Sequence, residues 1–393
     1  MTKKVVLLLR KYRYFLLLFL LVACVEPIEP DFNFKEGLVY IDAFLSTGKG
    51  TSLVNIFESR FIGSNLRYKF VSGASVSFIN IDTGILVSLN EHDNAYIPPS
   101  DFEASVGEEW KLMVTFPDGR NYESLPELIT EPVEISKINY EYNPELIFSE
   151  DSDGFLPGHS VFVDIEDPVD SENYYLWKFR SFEKIELCDY CFNGILRNGE
   201  CIDPPMSLAN EDPVITIGYR CESDCWRVRY NENVKIFADE FSNGGIIKDL
   251  PIADIFLYSR KNIAVEIQQL SLTRKAYDYF KVLKDLVENN GGLNAPPPAA
   301  LIGNMFNPND DKEFVLGRFT AAAASKKSIF IDRRDIKEVP ITTTRIDYIN
   351  EYCELFCTSR ECYDALCEES LVLTSDCTES QYRTAIEPEA WIE

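Results

Sequence analysis

Ten cysteines constrain this chain more than any other feature, because they fall in two groups of five. Cys188, Cys191, Cys201, Cys221 and Cys225 make one group, and Cys353, Cys357, Cys362, Cys367 and Cys377 the other. An odd group cannot pair within itself. If all ten are oxidised, at least one disulfide joins the groups and ties the C-terminal tail to the middle of the chain. Closing so long a loop stabilises by about 4–5 kcal/mol in the chain-entropy model. The spacings Cys188-Asp-Tyr-Cys191 and Cys221-Glu-Ser-Asp-Cys225 would also suit a zinc pair. In an exported protein disulfides are the preferred reading, and neither group contains a histidine.

The N-terminus supplies the export signal. Lys3, Lys4, Arg10, Lys11 and Arg13 precede an apolar run from Phe15 to Val22, and Leu21-Val22-Ala23-Cys24 follows the pattern of a cleavage site. A charged start, an apolar centre and small residues before the cut make a secretory signal. The cysteine just after the cut identifies Cys24 as the lipidated first residue of a mature lipoprotein. The alternative is an uncleaved membrane helix. The uninterrupted apolar run is too short for it, since a span needs about 20 apolar residues. Residues 1–23 are therefore read as signal peptide, and residues 24–36, with two prolines and several acids, as an extended acidic tether. Acidic residues directly after the lipid resemble the surface-export signal of Bacteroidota lipoproteins, so exposure on the cell surface is expected.

Loss of the signal lowers Lys plus Arg from 38 to 33 against 64 acidic residues, a formal charge of −31. So acidic a body repels phosphate backbones, which excludes nucleic acid as a partner. With 26 Phe and 20 Tyr the chain is too aromatic to be disordered. About 370 mature residues suggest two or three domains.

From residue 37 to 132 the pattern is β. Leu38–Leu45 and Thr51–Glu58 are short β-rich runs around a Ser-Thr-Gly-Lys-Gly loop. Leu112, Val114 and Phe116 share one face, and Pro117-Asp118-Gly119-Arg120 is a turn. The stretch from Gly73 to Ser124 resembles transthyretin-like or carboxypeptidase-regulatory sandwiches, so an Ig- or transthyretin-like β-sandwich is expected over 37–132. Residues 133–352 form a second β-rich domain with strands near Ile135–Tyr142, Ser160–Ile165 and Tyr174–Arg180. It carries the cysteine-rich insert 188–225, and residues 353–393 are a cysteine-rich tail.

Between the first two of those strands, Asp151-Ser-Asp153-Gly154 opens like a calcium loop, because alternate oxygens converge where glycine permits the turn. The later ligands are missing, so a solvated acidic loop is preferred and no cofactor is required. Further along, Glu266-Ile-Gln-Gln-Leu is extended. Ser271 or Thr273 then caps a helix over about 271–289, with Leu272, Ala276, Phe280, Leu283 and Val287 on one face and Asn289-Asn-Gly-Gly as its stop. Pro296–Pro298 stiffens the connection. Phe314–Phe319 follows as a strand, Ala321–Ala324 as a small-residue strand or close-packed segment, and Ser328–Arg334 closes the block. The fold class expected is mainly β: a sandwich, then a β-rich domain with one long helix and disulfide-braced inserts.

Several of these segments, in order, resemble one family. They are Val265-Glu-Ile-Gln-Gln-Leu-Ser-Leu, Ala276-Tyr-Asp-Tyr-Phe, Asn290-Gly-Gly-Leu, Pro296-Pro-Pro-Ala, Gly303-Asn, Val315-Leu-Gly-Arg-Phe and Ile329-Phe-Ile-Asp-Arg. Leu38-Val-Tyr-Ile-Asp, Phe116-Pro-Asp-Gly-Arg-Asn-Tyr and the cysteine after the signal also match. The chain looks like the Bacteroidota lipoproteins catalogued as domain of unknown function 4249, over nearly its whole mature length. The cysteine tail is richer than that pattern. The resemblance implies an outer-membrane lipoprotein, often associated with TonB-dependent transporters, and supplies no catalytic residues.

The catalytic inventory is thin. The two histidines, His92 and His159, read as surface-loop residues. Zinc-protease, nucleophile-elbow and phosphate-loop motifs are missing. Asp332-Arg333-Arg334-Asp335 reads as a solvated strand end. The expected function is a non-enzymatic binding or accessory protein, its contacts made by the 265–334 block and the cysteine inserts. A carboxylate-dependent hydrolase of surface polymers and a structural cell-surface component are the alternatives.

Overall fold

The structure, a computed structural model, describes residues 36–63, 65–150, 153–169, 171–192, 195–197, 200–202, 216–231, 233–240, 244–288, 301–341 and 373–392. The signal, Cys24, nearly all of the tether, Asp151, the helix stop, the proline run and Cys353, Cys357, Cys362 and Cys367 lie outside these residues.

The fold is mainly β, and one sheet organises it. Its spatial order is Arg383–Thr384, Trp226–Tyr230, Tyr174–Lys184, Ile263–Leu272, Val315–Ile331, Val39–Ser46, Leu53–Ile62, Ala95–Ile97, Asn90–His92. Lys235–Ala238 also pairs with Tyr174–Lys184, and Asn65–Phe70 with Leu53–Ile62. At the centre, Val315–Ala322 runs parallel to Val39–Ser46, and Ala323–Ile331 runs antiparallel to Ile263–Leu272. The strand expected at Phe314–Phe319, the alanine segment and the start of Ser328–Arg334 are thus parts of one 17-residue strand, Val315–Ile331. Its alanines do not break it. Ala321, Ala322 and Ala323 are fully buried, where small side chains let both layers pack close.

Side chains alternate across this sheet, and each face carries two cores. On one face, a six-stranded sheet that includes Ser75–Asn80, Glu109–Thr115 and Asn121–Ser124 packs Phe78, Leu112, Val114 and Tyr122 against Ile41, Ile56 and Phe319. Beside it, the sheet Ile135–Ser149, Gly154–Glu166, Ile246–Phe256 packs Val161, Val163, Ile252 and Ile255 against Trp177, Val265 and Ile267. The sandwich expected over 37–132 is therefore completed from far along the chain, by Met305, Val315, Phe319, Ala321 and Ala323.

The opposite face is covered by the helix at one end and the C-terminal segment at the other. The helix, Arg274–Glu288, buries Ala276, Tyr279 and Phe280 against Phe44, Leu176, Leu270 and Leu272. Its cap is Thr273, whose hydroxyl accepts the Ala276 N–H at 3.3 Å; Ser271 belongs to the preceding strand. At the other end, Trp391 packs edge-on to Trp226 and Phe330, at 5.9 and 5.6 Å between ring centres.

The cysteine insert is an outgrowth of small sheets held by disulfides. Cys188–Cys221 and Cys191–Cys201 close it internally, and Cys225–Cys377 joins the two cysteine groups across a separation of 152 residues. Leu373–Ser375 also adds to the insert as a parallel strand beside Tyr219–Cys221. Among the described residues one group of metal-ligating side chains lies close enough to share an ion, namely Cys188, Cys221 and Cys225, and all three are in disulfides. Asp153 sits in the tight turn between Ile135–Ser149 and Gly154–Glu166, its φ at 47°.

Candidate functional site

A cleft of about 1240 Å³ opens where the sandwich, the second β region and the C-terminal segment meet. Its floor comes from strands of the second core: Phe179 and Ser181 point down from Tyr174–Lys184, and Ile252 and Ile255 come from the facing sheet. One wall is Leu53 and Asn55 with the His92–Ala95 turn, where Asp93 and Asn94 both take positive φ, at 47° and 60°. Paired positive φ values make the tight hairpin turn that Asp and Asn tolerate best. Another wall is Asn231 and Asn233, between two strands that pair with different halves of Tyr174–Lys184. The C-terminal segment closes the rim with Glu379–Tyr382 and Ile386.

The charges on these walls are satisfied within the walls. Arg229 pairs with Glu183 at 2.9 Å and lies 4.6 Å over the Tyr258 ring. Lys235 lies 3.7 Å from Asp254, and His92 3.5 Å from Asp93. Glu379 accepts the Ala385 N–H at 2.6 Å. What faces the opening is aromatic and neutral polar. Tyr230 and Tyr382 meet edge-on at 6.2 Å and are 41% and 59% exposed, and Phe256, Tyr258, Asn55, Asn233 and Gln381 stand around them.

Beneath the cleft, the sequence reading of His159 and Arg333 is corrected. Both are 1% exposed. Pro157-Gly158, which suggests a loop, lies inside the strand Gly154–Glu166, where the glycine lets the strand approach Ile255. His159 packs against Tyr140 and Tyr142, and its Nδ1 faces the Arg333 guanidinium at 3.4 Å. Burial first, then the Arg333 charge, pushes the imidazole down to about 3, so it is neutral at ordinary pH. Arg333 donates to the Ser259 carbonyl at 3.2 Å, its backbone N–H donates to Asn262 at 2.8 Å, and burial lowers it to about 10. This pair braces the cleft's underside and does not reach its surface. Asp332 and Arg334 form the exposed ion pair expected of a strand end.

Two other polar clusters are internal. Glu127 from the sandwich meets Arg318 of the central strand, both about 5% exposed, and also accepts from Asn304 and Thr273 at 3.2 Å each. Burial raises Glu127 above the usual carboxylate range, against the pull of Arg318. Under the helix, the Lys178 ammonium lies 3.2 Å over the Phe44 ring. Burial lowers it to about 8, with Asp42 opposing.

The 265–334 block lies outside this cleft. Ile263–Leu272 is buried at every position, and among the described residues no cleft-lining group comes from it or from the insert between Cys188 and Cys225. The lining residues come from segments far apart in sequence, with no local motif to mark them. No curated protein matches the chain. The family model described as Domain of unknown function (DUF4249) matches residues 25–328, so most of the cleft lies within the match and the Glu379–Ile386 rim beyond it. The chain belongs to that family of unknown function.

Proposed function

We propose that this protein is a non-enzymatic binding lipoprotein, held at the outer membrane through lipidated Cys24 and working as an accessory to a TonB-dependent transporter. One observation carries the binding part of this reading. A cleft of about 1240 Å³ is walled by separate parts of the chain and presents exposed aromatic rings and neutral polar groups. Sites that hold small ligands are concave, apolar at the base and furnished with a few convergent polar groups. The acidic N-terminal segment and the cysteine after the signal support the location, as does the export chemistry of the disulfides.

Purification of the tagged lipoprotein from outer membranes in mild detergent tests the partnership. A transporter recovered at a near one-to-one ratio supports it. Recovery of the lipoprotein alone contradicts the accessory role and leaves a free-standing binder. Cys24→Ser is expected to release the protein from the membrane fraction, and retention in that fraction would contradict the lipid anchor.

A further inference from the structure

We propose that the cleft binds an extended, uncharged peptide segment by strand addition to the open edge of Ile246–Phe256, an inference that rests on the cleft being the ligand site. That strand is the outer member of its three-stranded sheet, paired with Gly154–Glu166 on one side only. Ile252, Ala253, Asp254, Ile255 and Phe256 all line the cleft. The pairing bulges at Ile252; beyond it alternate side chains leave by opposite faces, so the four consecutive lining residues Ala253 to Phe256 present an edge. The pairing says which groups the edge offers. Leu257 donates its N–H inward to the Pro157 carbonyl at 2.9 Å. By the alternation of an antiparallel ladder, Ile255 and Ala253 also point inward, opposite His159 and Val161. Asp254 and Phe256 then turn their backbone groups outward. The Phe256 carbonyl is taken, by the Tyr258 N–H at 3.1 Å and an Arg333 nitrogen at 3.5 Å, so the groups left to a guest are the Asp254 N–H and carbonyl and the Phe256 N–H.

Open strand edges are templates for another chain, and proteins normally blunt them with charge, proline or a covering loop. Here Pro251 and the bulge beside it end the open edge on one side, and the rest is recessed behind an aromatic rim, which keeps out large sheets while admitting one strand. Main-chain hydrogen bonds along such an edge give affinity, and pockets for alternate side chains give selectivity. Four residues of edge span about 13 Å. The surroundings define the chemistry of the guest. Arg229 and Lys235 are each paired with a nearby carboxylate, Glu183 and Asp254, so an acidic side chain would have to displace an existing partner. Exposed Tyr230 and Tyr382, with Phe256, offer ring faces to apolar side chains. Asn55, Asn233 and Gln381 can bond the far edge of the guest's backbone.

The test uses the full-length lipoprotein in detergent, immobilised, and a proteolytic digest of casein as the probe, with dextran and laminarin run in parallel. The expected result is retention of peptides with short uncharged, alternately apolar stretches. The tightest is then resynthesised with N-methyl groups on alternate residues. Methylation in one phase should weaken binding about tenfold or more, while the other phase leaves it nearly unchanged, because only one set of N–H groups faces the edge. Tyr382→Ala and Asn233→Ala, both at exposed positions, should each weaken retention. Failure to retain any peptide, or preference for dextran or laminarin, overturns the ligand class and leaves the cleft as a site. Equal loss in both methylation phases overturns strand addition. Peptide retention untouched by both substitutions shows binding elsewhere and overturns the cleft itself, and with it the binding reading above.

Discussion

At the scale of single residues, the molecule depends on a few buried polar groups that have no freedom to change partners. Arg318 and Glu127 join the sandwich to the central strand with both side chains out of water. Removing one partner of such a pair leaves the other buried and uncompensated, at a cost of about 3–5 kcal/mol. Arg318→Met is expected to lower stability by that order in chemical denaturation, and the Arg318→Met, Glu127→Met double variant to recover part of it. His159 makes a different prediction. Its folded pKa lies near 3 against an ordinary value of 6.5, so the unfolded chain binds the proton more readily. The stability it contributes is complete above pH 6.5 and is lost as the pH falls toward 3. Wild type should lose stability relative to His159→Gln across that window, measured by thermal unfolding at stepped pH. Parallel curves would show that the imidazole does not titrate this way. Gly317 and Gly303 show what was readable and what was not. Both stand in segments that resemble the family, yet their reason is spatial. Gly317 takes φ of 91°, and an added Cβ would lie 2.1 Å from the Ile41 carbonyl; one at Gly303 would lie 2.2 Å from the Gly317 carbonyl.

Among the elements, local periodicity carried most of the legible information. The Thr273 cap, the alternation of Leu112, Val114 and Phe116 and the middle of the helix face, Ala276, Phe280 and Leu283, follow from chemistry within a few residues and appear in the fold; at the ends of that face Leu272 belongs to the preceding strand and Val287 is 48% exposed. The strand Val315–Ile331 resisted such reading because its alanines and its Ser-Lys-Lys stretch are made extended by neighbours on both sides, not by their own propensity. His159 was misplaced for a related reason: Pro-Gly signals a turn locally, and tertiary pairing overrides it. The cysteine count anticipated a link between the groups but not its members. Cys225–Cys377 holds down the segment whose Trp391 covers Trp226. Cys225→Ser with Cys377→Ser is expected to destabilise by up to about 4–5 kcal/mol and to shift tryptophan emission to the red as these rings meet water. An unchanged melting temperature and spectrum would mean that packing alone holds the segment.

For the whole molecule, the central sheet makes distant parts of the chain one structure. A 37–132 fragment would lack Met305, Val315, Phe319, Ala321 and Ala323 of its own core, so we expect it to show no cooperative unfolding transition by calorimetry. A sharp transition in the isolated fragment would mean that the sandwich folds without the later strand. The same interlocking explains why the cleft was illegible: its lining is drawn from residues 50–55, 92–100, 179–181, 228–231, 233–235, 252–258 and 379–386, with Ile147 at the hairpin end. None of these segments carries a motif, and their meeting depends on pairings more than a hundred residues apart. A ligand seated in the cleft would shield its aromatic rim. Hydroxyl-radical footprinting of the lipoprotein on isolated outer membranes, with and without the casein digest, measures this. Protection is expected to concentrate on Tyr230, Tyr258 and Tyr382. Unchanged reactivity at these three rings, with protection appearing on Phe148 and Phe155 at the exposed hairpin end, would contradict it.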